Sequence, residues 1–347
     1  MIITPNQTVS LHTYDGIQLA QFAPARQSSM LWSRNLRDVS RCELVVPVSP
    51  DLALIDVTPW LHWVSVWDSD ANTLLWGGPV QKVQTTRTAL TLSCRDVSAL
   101  ASRTRVPITK QWDTTDPSRI AAELWRAMIE LHNLNLAPIV RVDPEGDFFD
   151  FETTADTKML NTTIDDLVKV GLSWCVVAGT PILGPVPKEP VAALGEGDFM
   201  GELEVTRDGS ATFNDVLLRG ADFSSRTRVA LGGLNLQTIV NVDDLFGVSN
   251  VGRAARQYAR HSAGITDILT VPGGTALRPD APVSIDELLP GARFVVEAYG
   301  LRVLMELESV EVNLDAGDVQ VAVTLDSVNE LPELAEISGG GMGDLGL

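Results

Sequence analysis

Alternation of apolar and polar residues near both ends of the chain is the feature that most limits its fold. Val319, Val321, Val323 and Leu325 alternate with Gln320, Ala322 and Thr324. Upstream, Met305 and Leu307 share one phase and Glu306 and Glu308 the other, after which Val310 and Val312 take over the apolar phase. A strand turns successive side chains to opposite faces, so this slip predicts a β-bulge near Glu308-Ser309. The spacing predicts a hairpin joined at Leu314 to Asp318. The same period-two pattern occurs in the first hundred residues, with Cys42, Leu44 and Val46, then Trp63, Ser65 and Trp67, then Leu90, Leu92 and Cys94 on one phase. Turn-forming clusters lie between these runs, at Asp68 to Asn72 and at Trp76-Gly77-Gly78-Pro79. Many short strands with regular turns predict a small barrel or sandwich, closed by a short helix from Asp96 to Ser102.

The middle of the chain reads differently. Asp116 is a good N-cap, Pro117 suits the first helical position, and Ile120, Leu124, Met128 and Leu131 recur at helical spacing. A second helix is predicted from Thr163, capped by its hydroxyl, with Asp165 and Asp166 in the first turn and Gly171 at its end. The pair Leu172–Val177 and Ile182-Leu183, turning at Ala178-Gly179-Thr180, reads as a hairpin. Four prolines between 181 and 190 mark residues 181–201 as a connector. Strands at Glu202–Thr206 and Asp215–Arg219 and a helix from Asn250 to about Ser262 follow. The division expected is an N-terminal β unit (1–105), an α+β insertion (106–200), strands and a helix (201–262), C-terminal β strands (263–335) and a Gly-rich tail (336–347). The fold class expected is mainly β with α+β insertions, with similar units of about 1–105 and of 201–222 plus 265–330.

Charge narrows the function. The 347 residues hold 45 acids and 26 bases, a net charge of −19. Nucleic-acid affinity rests on clustered cations, so this balance argues against a nucleic-acid surface, and against docking on anionic lipid. No apolar run approaches the length of a membrane span, and the N-terminus lacks the pattern of a secretion signal, which predicts a soluble protein made in a reducing cytoplasm. The excess charge is concentrated late: after Arg260 there are 15 acids and 3 arginines.

No motif for a catalytic metal, nucleotide or activated serine is present. Gly195-Glu196-Gly197 follows a proline-rich stretch rather than a strand, and Asp68-Ser69-Asp70-Ala71-Asn72 lacks the glycine and glutamate of a calcium loop. The four histidines are scattered, and Cys42 and Cys94 sit on the apolar phase of strands, where inert thiols belong. The expectation is no enzyme and no cofactor. Three surfaces remain. Arg253, Arg256 and Arg260 fall on one helical face and suit contact with acidic surface. Phe148, Phe149 and Phe151, in the acidic stretch 143–152, read either as a strand with one apolar face or as a docking loop. Glu306 and Glu308, opposite the core phase, are candidates to line a channel.

The order of the parts resembles a known family. It runs Cys42 to Val48, the tryptophan-rich stretch Trp63 to Trp76, Leu90 to Asp96 with its short helix, the helix from Pro117, and Thr163 to Leu167 followed by Leu172 to Val176. Asn214 to Gly220 and Leu289 to Val296 complete it. This arrangement, spanning about residues 1–330, is similar to the central baseplate hub, or tail-associated minor tail protein, of long-tailed, non-contractile bacteriophages, nearest those infecting Actinobacteria. The resemblance implies two small β-barrel domains separated by mixed segments, and a homotrimer whose barrels form a pseudo-sixfold ring matching a sixfold tail tube to a threefold tip. It implies a virion protein of the tail tip, assembled in the host cytoplasm. The partners implied are the distal tail protein, other minor tail proteins and the tape-measure C-terminus. It also implies that spike or wall-degrading activities sit in another protein. The alternatives are a hexameric distal tail ring protein and a binder or hydrolase of host-wall carbohydrate.

Overall fold

The alternating runs are strands, and those of the two ends belong to one sheet. The computed structural model describes residues 6–23, 28–47, 56–143, 146–243, 245, 247–264, 266–270, 276–315 and 318–328. The N-terminal strands are β1 (Gln7–Thr13), β2 (Gln18–Phe22), β3 (Ser29–Asn35), β4 (Arg41–Pro47), β5 (His62–Asp68), β6 (Thr73–Thr85) and β7 (Ala89–Arg95). A 3-10 turn at Val97–Arg103 follows, capped by Asp96, as expected from the sequence. The middle contains β8 (Lys110–Thr115), α1 (Pro117–Leu131), β9 (Ile139–Val140), β10 (Phe149–Thr153), α2 (Leu160–Lys169), β11 (Trp174–Val177), β12 (Thr180–Leu183) and β13 (Pro190–Gly195). Then come β14 (Glu204–Asp208), β15 (Asp215–Arg219), β16 (Ser224–Arg228), β17 (Gln237–Asn241) and α3 (Val248–Ser262). The chain closes with β18 (Thr266–Thr270), β19 (Ala276–Leu277), β20 (Arg293–Ala298), β21 (Leu301–Asp315) and β22 (Asp318–Ser327).

Among the described residues twelve strands form one sheet, ten of them along the path β13-β20-β21-β3-β4-β7-β6-β5-β1-β2, with β22 on β21 and β19 on β22. The join between the two ends is the antiparallel pair β21–β3, Ser309↔Asn35 to Asp315↔Ser29. No run of pairings closes on itself among the described residues. The predicted bulge is present: register shifts between Leu307 and Ser309, which lets Met305, Leu307, Val310 and Val312 all turn inward. They share one core with Val9, Trp32, Leu44, Val66 and Leu92 from the other end of the chain.

Several expectations are corrected by packing. Trp76-Gly77-Gly78-Pro79 is not a turn but the middle of β6, which pairs with β5 up to Pro79 and with β7 from Val80. Glycine and proline mark the corner where the strand changes partner. The connector 181–201 contributes β13, an edge strand parallel to β20. Asp215–Arg219 is a strand as expected, but it pairs with β16 and β17 in a separate three-stranded sheet instead of joining the C-terminal strands. The tail 336–347 and the centre of the final hairpin turn lie outside the described residues.

A second core sits under the insertion. Asp116 caps α1 through the Ser118 N–H (2.8 Å), with Pro117 in the first turn. Ile120, Leu124, Trp125 and Met128 are buried, each stabilising the fold by roughly 1.5–3 kcal/mol relative to exposure. Helix α2 starts earlier than predicted, at Leu160 after Met159, and makes no side-chain cap bond; Thr163 is inside it and buried. Gly171 follows it at φ +107°, the left-handed position expected of a C-terminal glycine. All three cysteines are free and buried, and burial raises their thiols, Cys175 to about 12, so they stay protonated and inert.

Candidate assembly surface

The arginine helix and the phenylalanine strand prove to be one structure. Helix α3 lays Val251, Ala254, Ala255 and Ala259 into the second core and packs on β15 and β16. Phe149 and Phe151 are 1% and 0% exposed in the same core, so they cannot dock on a partner; Phe148 alone is at the surface, at 42%. The docking-loop reading fails because β10 pairs with β8, with Phe151 opposite Trp112, which turns both rings inward. Strand and helix are tied by polar contacts. The Thr114 N–H donates to Asp150 Oδ1 (2.6 Å), Asn250 donates to Asp150, and Arg253 donates to Asn250 Oδ1 (2.8 Å). Arg253 is therefore an internal tether. Only Arg256 and Arg260 are exposed, and neither makes an ion pair among the described residues.

Glu306 and Glu308 are half-buried and share one cation, so two carboxylates face a single guanidinium. Arg37 lies 3.5 Å from each, and their side chains are 26% and 30% exposed. Arg37 has φ +56°, its N–H donates to the Trp174 carbonyl (2.8 Å), and the neighbouring Leu36 bridges Cys175. The arginine thus clasps the bulge of β21 to the insertion. Burial raises both carboxyls, and Arg37 offsets this only in part. Folded carboxyls that take up protons more readily than unfolded ones contribute stability below the ordinary glutamate pKa of about 4.3, and lose it as pH rises through the raised values. The double variant Glu306→Gln/Glu308→Gln is expected to flatten this fall in stability above about pH 4.3. Urea titrations at several pH values check this, and an unchanged slope would count against it.

One open concavity has no counterpart in the sequence patterns. It is a cleft of about 700 Å³ lined by Tyr14, Trp60, Leu61, Trp63, Arg103 and Leu134, with His132 at its wall. Trp60 adopts φ +70°, rare for a bulky residue and costing on the order of 1–3 kcal/mol. Its N–H donates to the Val80 carbonyl (2.7 Å), and its carbonyl accepts from Trp63 Nε1 (3.3 Å). The Arg103 guanidinium lies 5.9 Å above the Trp60 ring. Burial lowers the pKa of His132, which shares a hydrogen bond with Thr104 Oγ1 (2.8 Å), so it is uncharged near neutrality and Arg103 is the cleft's cation. The available signal was Pro59-Trp60-Leu61, three residues that break alternation just before β5.

The sheet also ends in open edges. β2 pairs only with β1, and β13 only with β20, among the described residues. Gln18-Leu19-Ala20-Gln21-Phe22 carries no charge and no proline, so it lacks the usual protection against edge pairing. No group of three or more His, Cys, Asp or Glu among the described residues is placed to hold a metal ion. No helix among the described residues is long and apolar enough to cross a membrane.

No protein-family model and no curated protein sequence matches the chain. Solved structures do match its fold. The tail protein from Neisseria meningitidis MC58 superposes with a TM-score of 0.63 at 15% identity, covering 93% of this chain and 97% of that one. The prophage MuSo2 43 kDa tail protein from Shewanella oneidensis gives 0.59 at 12%, covering 92% and 98%. The prophage tail protein gp18 from Listeria monocytogenes EGD-e gives 0.56 at 11%, covering 94% and 95%. The chain therefore has, over nearly its whole length and theirs, the mostly β fold of these phage tail proteins.

Proposed function

We propose that the chain is a structural subunit of a bacteriophage tail, forming the hub at its distal end. The observation that carries this reading is the likeness of fold, which covers nearly all of this chain and nearly all of each of the three tail proteins. In this reading three copies surround the DNA exit path. Each contributes an N-terminal and a C-terminal β unit, so the ring is pseudo-sixfold, and the distal tail protein and other minor tail proteins bind it. The chain carries no catalytic activity and needs no cofactor. Arg256 and Arg260 meet acidic surface of a neighbouring subunit, and the open edge β2 helps join copies.

Native mass spectrometry of the assembled particle tests the stoichiometry. Three copies fit the hub, six copies would transfer the assignment to the distal ring, and a particle lacking the chain would end the tail reading. The edge is tested by Leu19→Lys/Gln21→Lys, which places two charges on β2. Association is expected to fall while the monomer's circular dichroism stays unchanged. Undiminished association would remove β2 from the interface.

A further inference from the structure

We propose that the Tyr14–Trp60–Trp63 cleft is the receptor for the acidic, leucine-rich C-terminal segment of a second copy of this chain. Trp60 holds an unfavourable backbone conformation at the mouth of the cleft, and Tyr14 and Leu61 beside it are 43% and 54% exposed. The Tyr14 N–H donates to the Leu61 carbonyl (2.9 Å), and the Thr58 N–H to His62 Nδ1 (2.8 Å), so the rim is held in place before anything binds. The cleft's volume lies in the range of roughly 300–1,000 Å³ typical of binding pockets. What it presents is aromatic and aliphatic surface beside one cation, Arg103, which has no carboxylate partner among the described residues.

The complementary pattern lies at the end of the same sequence. Glu330-Leu331-Pro332-Glu333-Leu334-Ala335-Glu336-Ile337 repeats every third residue, with Leu331, Leu334 and Ile337 in one phase and Glu330, Glu333 and Glu336 in another. Residues 329–347 contain no Lys or Arg. Such a segment offers apolar anchors for the rings and a carboxylate for Arg103.

Reach keeps the first anchor, Leu331, from the chain's own cleft, so docking by all three anchors takes a segment from another copy. The last described residue, Val328, bonds to the Leu304 carbonyl on β21. Leu331 is three residues further, a span of about 10 Å. The cleft is at β5, five strand spacings from β21 in the sheet order, or about 24 Å along the sheet. Donor segment and receptor cleft are different surfaces, so the contact is head-to-tail, the kind that closes copies into a ring. The proposal needs only two copies of the chain and does not rest on the tail reading.

The test uses the full chain. The native cysteines are buried, so Ser338→Cys supplies the one accessible thiol for a bimane dye, which tryptophan quenches on contact. Quenching is expected, with loss on dilution and relief by Trp60→Phe. Leu61→Asp changes an exposed residue and should abolish it without unfolding. Arg103→Glu is expected to weaken association roughly five- to tenfold, because an exposed attraction becomes a repulsion of similar size. Adding Glu333→Lys to Arg103→Glu should restore it. An unquenched dye, quenching that persists at every dilution, or quenching indifferent to Leu61→Asp would overturn the proposal.

Discussion

Arg34→Ala is expected to destabilise the protein by about 3–5 kcal/mol, near the top of the range for single substitutions. Arg34 is 2% exposed, in the middle of the first core. It donates through Nη1 to the Ile285 carbonyl (2.9 Å) and through Nη2 to the Leu75 carbonyl (3.2 Å), with Leu288 at 3.5 Å and the Trp32 ring at 5.2 Å. One guanidinium thus joins β3, β6 and the segment before β20. No carboxylate among the described residues pairs with it; burial, opposed in part by the charge of Asp286, lowers its pKa to about 10, which still leaves it charged at neutral pH. Alanine would remove the burial cost of that charge. It would also strand carbonyls at about 1–3 kcal/mol each and open a cavity under Trp32. The second effect is larger because several acceptors lose one shared donor together. Arg34→Met separates the two parts: it refills the volume but not the hydrogen bonds, and should fall between wild type and alanine. Urea unfolding followed by tryptophan fluorescence measures all three. An alanine variant within about 1 kcal/mol of wild type would show that water takes over the carbonyls.

Two adjacent glycines in β6 should respond very unequally to the same substitution. A Cβ at Gly78 would overlap the Arg95 carbonyl oxygen and come within 2.7 Å of the Asp96 Cα, so backbone must move. That backbone is fixed: buried Asp96 accepts from the Ser40 N–H (2.6 Å) and the Ser98 N–H (2.8 Å), and its own N–H donates to the Ser40 carbonyl (3.0 Å). Gly78→Ala is therefore expected to cost about 3 kcal/mol or more, or to abolish folding. A Cβ at Gly77 meets nothing closer than Ser65 Oγ at 3.5 Å, an ordinary contact. Gly77→Ala should change stability by less than about 1 kcal/mol. Similar losses at both positions would mean that strand entropy, and not the close crossing of β6 and the Asp96 loop, explains the glycine pair.

What was legible in the sequence was legible because it is local. Period two revealed β4, β5, β7, β21 and β22, and a slip of one residue in that period located the bulge at Leu307 to Ser309. Asp116-Pro117 located the start of α1, because a cap and a proline act on the N–H groups beside them. Thr163 misled for the same reason in reverse. It has the chemistry of a cap, but burial of Leu160 drew the helix one turn further back.

The candidate surfaces were legible only by residue type. Three arginines at helical spacing do lie on one helix, yet which of them is free depends on Asn250 and Asp150, the latter 103 residues before Arg253. Phe149 and Phe151 alternate with polar residues on either reading, and the pairing of β10 with β8 turned them into core. The cleft draws Tyr14, Trp60, Arg103 and Leu134 from four stretches of chain that share no pattern.

By itself the sequence determined that both ends are strands, where the bulge and the principal helix begin, and that the surface is acidic. Only the tertiary structure decided that β3 lies against β21 across some 280 residues of chain, so that two expected units share one sheet and one core. The physical reason is that periodicity specifies which face of a strand is buried but not which strand lies beside it. The ladder bonds are made by backbone groups that every residue except proline carries in full, and the partner is chosen by whichever arrangement buries all the apolar faces together.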